Sequence, residues 1–298
     1  MSGSIQNVHP MNKVGVGFQL KSTHVRQFMM AFYLLLFFMY LFGPLIMMGA
    51  TAFNDNSYPQ VAPWKGFTLK WFDELLSDDF MIEGFINSLI IGLGVVCMAV
   101  PFGLAGALML GQIHHRVRSI YYVIVLSPIL TPGLIIGIST LVFWDYMGVM
   151  LNADFESPFY DGIWLTILGQ ATFISSYTML IFLARLQRFD RTLEEAALDL
   201  GASQTQVFWQ ILVPYLKPAL ISAVVLAFLT SFENYNTTVF TIQAESTLTT
   251  VLAAKVRLGI TPSVSALAVL IIALTLIGTV AHELLRRKEA QKCVEDAD

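Results

Sequence analysis

The chain has 298 residues, of which 56% are hydrophobic and 13% charged, and its mean hydropathy is +0.67. Soluble domains carry about 25% charged residues, so this composition excludes an ordinary soluble domain and indicates several membrane spans. The net charge of −4 excludes a broad basic surface for nucleic acid, and two cysteines exclude a disulfide framework.

A hydrocarbon core about 30 Å thick takes roughly 20 apolar residues as helix. Six stretches reach that length, at 28–50, 85–110, 120–144, 163–183, 218–242 and 264–285. Ahead of them, 1–27 reads as a polar, basic tail with a short membrane-surface stretch. Ala50-Thr51-Ala52 resembles a cleavage site, but the apolar run before it exceeds the about 7–15 residues of a signal segment. The first span is therefore expected to remain as an anchor. Of the 17 Lys and Arg residues, 13 fall on the side holding both termini and the loops near 111–119 and 185–217. The positive-inside bias makes that side cytoplasmic. The organisation expected is a cytoplasmic tail over 1–27, a membrane domain over 28–285 and a second tail over 286–298.

The outer segment 51–84 holds Leu69, Phe72, Leu75 and Leu76 at helical spacing among Asp73, Glu74, Asp78 and Asp79. It reads as an amphipathic helix on the outer interface or as part of a docking surface for an external partner. Cys97 lies in an apolar run and Cys293 in the C-terminal tail, both expected as free thiols. The third span carries Pro128 and Pro132 beside Gly133 and Gly137. Proline kinks a helix, and the freed carbonyls must be satisfied by protein or water. Such a span either lines a pathway or packs with a bend. The loop at 145–162 is acidic, with Asp145, Asp154, Glu156 and Asp161.

Between the fourth and fifth spans lies a polar segment with internal order. Thr192 and Glu195 fit a capping box, predicting a helix over 193–200. Leu193, Ala196, Ala197 and Leu200 then share one side, while Glu194 and Asp199 point elsewhere. Gly201 stands where a left-handed residue ends a helix. Ser203 and Gln206 form a second capping box, opening a short helix that Pro214 and Pro218 are expected to stop. Two small helices with exposed apolar residues make a protruding knob, and such a patch marks an interface.

The pattern Glu195-Ala196-Ala197, Gly201, Ile211, Val213, Pro214 resembles the signature loop of ABC importer permeases, with Val213 in place of the more usual leucine. The similarity extends over about 65–285. Phe67-Thr68-Leu69-Lys70-Trp71-Phe72, Glu195 through Ala202, Gly259-Ile260-Thr261-Pro262 and Ser265-Ala266-Leu267-Ala268 resemble spermidine/putrescine-type permeases. The resemblance implies an all-α, six-span type I importer permease fold in a bacterial inner membrane. It makes 185–217 a coupling loop, with Glu194, Glu195, Ala196, Ala197, Asp199, Gly201 and Ala202 docking on an ATPase. It also implies two ATPase subunits, a second homologous permease and an extracytoplasmic solute-binding protein. The chain contains no Gly-Lys pair and hence no P-loop, so ATP and Mg would sit on the partner ATPases, with no cofactor on this chain.

Glu233 is the carboxylate expected well inside a span, and an intramembrane ionisable residue is a functional candidate. Its neighbours Thr230, Ser231, Asn234, Tyr235, Asn236, Thr237 and Thr238 either line a cavity or bond between helices. Trp144, Tyr146 and Tyr235 offer cation–π faces, and Asp145 is placed with Trp144 on the same pathway. Polyamine permeases carry Ser-Leu-Asp-Asp where this chain has Ser231-Phe232-Glu233-Asn234. They often have Pro-Asp and Pro-Glu where it has Pro132-Gly133 and Pro262-Ser263. A polycation needs several carboxylates, so a monocation or zwitterion fits as well, and the solute class expected is a small amine.

Two other functions fit the sequence less well. A membrane enzyme needs a nucleophile–base pair or metal cluster, yet His9, His24, His114, His115 and His282 lie in the N-terminal tail or at cytoplasmic ends without carboxylate-rich motifs. A stand-alone secondary transporter or channel for an organic cation usually needs more spans or internal repeats. No catalytic residue or metal site is assigned.

Overall fold

The structure, a computed structural model, describes residues 16–259, 261–273 and 275–277. It divides into two units, 1–72 with 261–298, and 73–260. Cys293, His9, His282 and the tail at 286–298 lie outside the described residues.

In the first unit, α1 (Val16–Ala52) starts twelve residues before the predicted span. No proline interrupts 16–43, and extending a formed helix costs far less than nucleating one, so 16–27 is helix where a tail was expected. None of the span's most apolar window is buried, which leaves its aromatic and aliphatic side chains for lipid or another chain. Its end packs on α12 (Pro262–Ile277). There Thr51 Oγ1 donates to the Met48 carbonyl at 2.6 Å and lies 2.9 Å from Ser265 Oγ. The buried Asn54 side chain organises the next turn by donating to the carbonyls of Gln60 and Pro63 and accepting from the Lys65 amide. The short outer helix exists as α2 (Lys70–Leu76), but it buries Trp71 and Leu75, an i,i+4 pair, and exposes Leu69 and Leu76.

The second unit is built on α3 (Asp79–Gln112), α6 (Gly162–Leu186) and α9 (Val213–Phe232). Ile91, Val95, Ile174, Met179, Phe182, Ala223 and Ala227 fill its core. α3 and α6 approach so closely at Gly103 that a Cβ there would lie 2.0 Å from Thr178 Oγ1. Thr178 in turn donates to the Ala99 carbonyl at 2.7 Å. Apolar surface has no hydrophobic drive to associate inside lipid, so small residues and interhelical hydrogen bonds hold such contacts.

The third predicted span is two helices, α4 (His115–Leu130) and α5 (Gly133–Met150). Pro132 has no amide to donate and biases Thr131 to extended backbone, and Thr131 has ψ 128°. α4 lies along the later part of α6, where Ser176 Oγ donates to the Val125 carbonyl at 2.5 Å. α5 lies along its earlier part, with Thr140 against Gly169. The two helices thus lie in succession along α6. The fifth predicted span also differs. One helical run from Gln204 reaches Phe232 and stops ten residues short of the expected end. α10 (Thr238–Thr241) and α11 (Leu248–Leu258) follow.

Among the described residues, five helices are long and apolar enough to cross a membrane. The predicted sixth span continues past the described end of α12 at Ile277.

Candidate functional site

The knob forms from local capping, though not with every predicted cap. α7 (Thr192–Asp199) begins after Arg191, and Asp190 does the capping. Its Oδ1 accepts from the Thr192 amide at 3.0 Å and the Thr192 hydroxyl at 2.8 Å. Those two bonds, the hydroxyl's first, hold the Asp190 carboxyl below its ordinary pKa. Thr192 is therefore a donor to the cap and does not form the predicted box with Glu195. The exit is as predicted: Gly201 has φ +88°, its amide bonds the Leu198 carbonyl at 2.9 Å, and the Ala202 amide bonds the Ala197 carbonyl at 3.0 Å. That pair is the Schellman arrangement, which requires a left-handed residue at the glycine. Ser203 and Gln206 form the second box and open α8 (Gln204–Val207).

Pro214 does not stop the helix that follows. Residues 208–212 are π-helical, and α9 runs on from Val213. The wide turn directly before Pro214 relieves the clash its ring would make with the carbonyl four residues back. The base of the knob is tied by a reciprocal pair. Arg185 Nε donates to the Tyr215 carbonyl at 3.3 Å, and the Tyr215 hydroxyl donates to the Arg185 carbonyl at 3.2 Å. The guanidinium also stacks 4.3 Å from the Tyr215 ring.

No residue of α7 is buried. Leu193 is 53% exposed, Leu200 89% and Trp209 63%. Glu195, Ala196, Asp199 and Gly201 are exposed, while Ala197 and Ala202 are half-buried. Glu194, expected to point away with Asp199, is half-buried and lines a cleft with Leu108 and Gln112 at the end of α3. Arg191 fastens the same face by donating to the Gly111 carbonyl at 3.3 Å. So α7 has one face on its own bundle and an apolar face that nothing in the described residues covers.

The second region is the break after α9. Ser231 Oγ donates to Gln170 Oε1 at 2.5 Å, and Gln170 Nε2 donates to Thr238 Oγ1 at 2.8 Å. Thr237 Oγ1 donates to the Gly133 carbonyl at 3.1 Å, and Thr166 and Thr241 pair at 2.8 Å. The Asn234 carbonyl is met by the hydroxyls of Thr238 and Thr249, and Asn234 Oδ1 accepts from the Thr237 amide. Gln170 lies about 12 Å along α6 from its first residue, eight residues at helical rise. Non-helical backbone at that depth survives only where protein or a water-lined cavity satisfies it, and these hydroxyls do so.

The polar run thus splits. Ser231, Thr237 and Thr238 are buried and structural. Glu233, at the C-cap of α9, and Asn236 are exposed, and Asn234 and Tyr235 are half-buried. Glu233 therefore stands at the end of a helix, where an interior position was expected. The Tyr235 hydroxyl accepts from Arg257 of α11 at 3.3 Å. Asn236 neighbours Gly133 at the start of α5. Trp144 and Asp145 sit about three turns further along that helix, roughly 16 Å away, so they are not gathered with Glu233. Asp145 is exposed, and Trp144 packs on Phe143 and Phe159. Trp144 also lines a groove of about 450 Å³ with Ser139, Thr140 and Thr172. Gln170 and Arg257 went unrecognised in the sequence. A lone amide within an apolar span is the signal that marks Gln170.

Residues 99–291 match the family described as binding-protein-dependent transport system inner membrane component. The chain is 32% identical to the putrescine transport system permease protein PotI of Escherichia coli (strain K12), covering 87% of this chain and 91% of that one. It is 27% identical to the spermidine/putrescine transport system permease protein PotC of Haemophilus influenzae, covering 88% and 98%. A bacterial alginate ABC transporter, solved in complex with an alginate pentasaccharide-bound periplasmic protein, shares the fold at TM-score 0.66 and 17% identity, over 90% and 96% of the two chains. These likenesses displace the stand-alone transporter and the membrane enzyme. The chain belongs to the binding-protein-dependent inner membrane component family and is a permease subunit of an ABC importer.

Proposed function

We propose that this permease carries a small amine-containing solute inward, driven through the knob at 190–214 by separate ATPase subunits. The supporting observation is the α7 face on which Leu193, Ala196 and Leu200 are exposed while every cap of the helix is satisfied within the knob. A large apolar patch of this kind is stable in water only when a partner covers it. Glu195, Asp199 and Gly201 are exposed on the same knob and open to the partner, whereas Glu194, Ala197 and Ala202 are half-buried and hold the face in place. Within the loop 185–217, only part of the motif touches the ATPase. ATP and Mg belong to two such ATPases, a second permease completes the pathway, and an extracytoplasmic binding protein delivers the solute. The termini and the knob share the cytoplasmic side, and the membrane domain spans 28–285.

Relatives named for putrescine and spermidine favour an amine. Glu233 and Asn236, exposed in the break, with Tyr235 and Asn234 beside them, supply one negative charge and several amide or aromatic contacts. That set suits a solute with a single ammonium at each contact better than a polycation gripped by several carboxylates. Trp144 and Asp145 belong to a different stretch of the pathway. The test uses the assembled importer in nanodiscs. Leu200→Glu should release the ATPase subunits and leave the permease folded. An ATPase that stays bound and coupled would overturn the reading. Mass spectrometry of ligand retained by the purified binding protein identifies the solute.

A further inference from the structure

Two adjoining clefts lie where the ends of α3 and α6 meet the start of α4 and the base of α7. The larger, about 450 Å³, is lined by Gln112, Arg118, Gln187, Arg191 and Glu194 over an apolar floor that includes Leu183. The smaller, about 350 Å³, shares Arg118, Leu183 and Gln187 and adds Ser119, Tyr122 and Leu110. Two guanidinium groups and one carboxylate leave the pair of clefts net positive. Among the described residues neither arginine is ion-paired, since the ion pairs there are Lys70–Asp55 and Lys255–Asp78. Arg191 meets the Gly111 carbonyl through one nitrogen, and a guanidinium has four further N–H donors. Leu110 and Leu183 lie near the ends of apolar spans, so the polar rim sits at the edge of the hydrocarbon layer.

We propose that these joined clefts bind the phosphate headgroup of an anionic phospholipid. Arg118 and Arg191 hold the phosphate, the amides of Gln112 and Gln187 and the hydroxyls of Ser119 and Tyr122 complete the polar shell, and an acyl chain lies along the half-buried Leu108 and Leu186. Guanidinium is the side chain best matched to phosphate oxygens, and basic pockets between spans at the membrane edge favour anionic headgroups. The apolar floor selects a lipid over a free anion, which gains nothing from it. Glu194 keeps the site from being strongly basic and disfavours headgroups carrying several charges. Because Arg191 and Glu194 belong to the base of the knob, a bound headgroup steadies α7 against α3. The site lies apart from the solute pathway, so its fate is independent of which solute is carried.

The test uses the assembled importer in nanodiscs of phosphatidylcholine with and without phosphatidylglycerol. Native mass spectrometry is expected to find at least one more retained phosphatidylglycerol on the wild type than on Arg118→Gln, with Arg118→Lys in between. Loss of one arginine at an anionic surface weakens binding about fivefold. In the wild type, a photoreactive phosphatidylglycerol should label peptides covering 116–122 and 185–191, a readout that needs no variant to fold. Equal lipid retention by wild type and Arg118→Gln overturns the proposal. So does labelling confined to other peptides, or displacement of the lipid by millimolar inorganic phosphate, which would make the site one for free anions.

Discussion

The knob at 190–214 turns Leu193, Leu200 and Trp209 outward and spends its polar groups on its own backbone, whereas the break at 233–237 buries its hydroxyls and leaves Glu233 exposed. Each inverts what its surroundings favour. In water an exposed apolar face is costly, and in lipid an exposed carboxylate is costly. Both costs are tolerable when a partner or a solvated pathway meets the group. Both regions also solve the same backbone problem differently. The knob satisfies its helix ends with short local side chains, from Asp190, Ser203 and Gln206. The break uses groups from other helices, with the Gln170 amide of α6 and the Gly133 backbone carbonyl of α5 meeting Ser231, Thr237 and Thr238. A self-contained element can move as a body. One stitched into three helices moves only with them.

The largest effect is expected at Gly201. A β-branched residue held left-handed costs about 1–2 kcal/mol, and no rotation of the side chain relieves it. The Gly201→Val variant should lose its ATPase subunits and most solute uptake, about five- to thirtyfold, if each kcal/mol shifts docking as it shifts the turn. Asparagine tolerates this backbone, so Gly201→Asn should keep most activity. Co-purification and uptake in proteoliposomes measure both. A valine variant that remains coupled would show that the knob does not need its turn.

Next comes the break itself. Glu233→Gln keeps the shape and removes the charge, so uptake should fall about tenfold, the worth of one charged contact, while the ATPase subunits stay bound. That separates the two regions cleanly, because the knob variant loses its partner and the break variant keeps it. Unchanged uptake would reduce Glu233 to a helix terminus. Gln170→Leu tests the buried side of the same region. It strands the Ser231 hydroxyl in an apolar setting, which costs about 1–3 kcal/mol, and the thermal midpoint of the detergent-solubilised complex should drop. An unaltered midpoint would mean the break is held by packing alone.

Legibility in the sequence followed the range of the interactions. The Gly201 exit and the Ser203–Gln206 box were readable because every partner lies within a few residues. The cap at Asp190 was missed because Asp190 and Thr192 are both good cap formers, and hydrogen-bond geometry alone decides between them. Pro128 and Pro132 announced the division between α4 and α5. Pro214 misled, since the π turn at 208–212 that accommodates it has no composition of its own. The end of α9 at Phe232 was missed because the polar residues 233–238 read equally well as the lining of a span continuing to Ile242. What stops the helix is a set of hydroxyl contacts to α5 and α6, tens of residues away in the chain. Trp144 and Glu233 looked like one site because composition carries no distance, and the helical rise of α5 sets them apart.

The smallest effect concerns the latch that ties the break to the start of α3. Leu248 donates its amide to Ser88 Oγ at 2.9 Å, Asn87 donates to the Ser246 carbonyl at 2.9 Å, and at the far end of α11 Lys255 Nζ meets Asp78 Oδ2 at 2.5 Å. Asp78 also caps α3 by accepting from the Met81 amide. Partial burial pushes its carboxyl up, but the hydrogen bond and charge of Lys255 together with the Met81 amide outweigh it, leaving the pKa below the ordinary 3.8. A carboxyl with a depressed folded pKa contributes its stability above the unfolded value and loses it as pH falls through the folded one. The latch is therefore intact at neutral pH and weakens only below about pH 4. Lys255→Met should remove that acid-dependent component and lower the thermal midpoint at pH 7 by the equivalent of about 1 kcal/mol or less. Thermal denaturation of wild type and variant between pH 3 and 7 reads both, and the two curves should converge at the acid end. Parallel curves would show that α11 is held by its threonine cap and the Ser88 and Asn87 bonds without help from the ion pair.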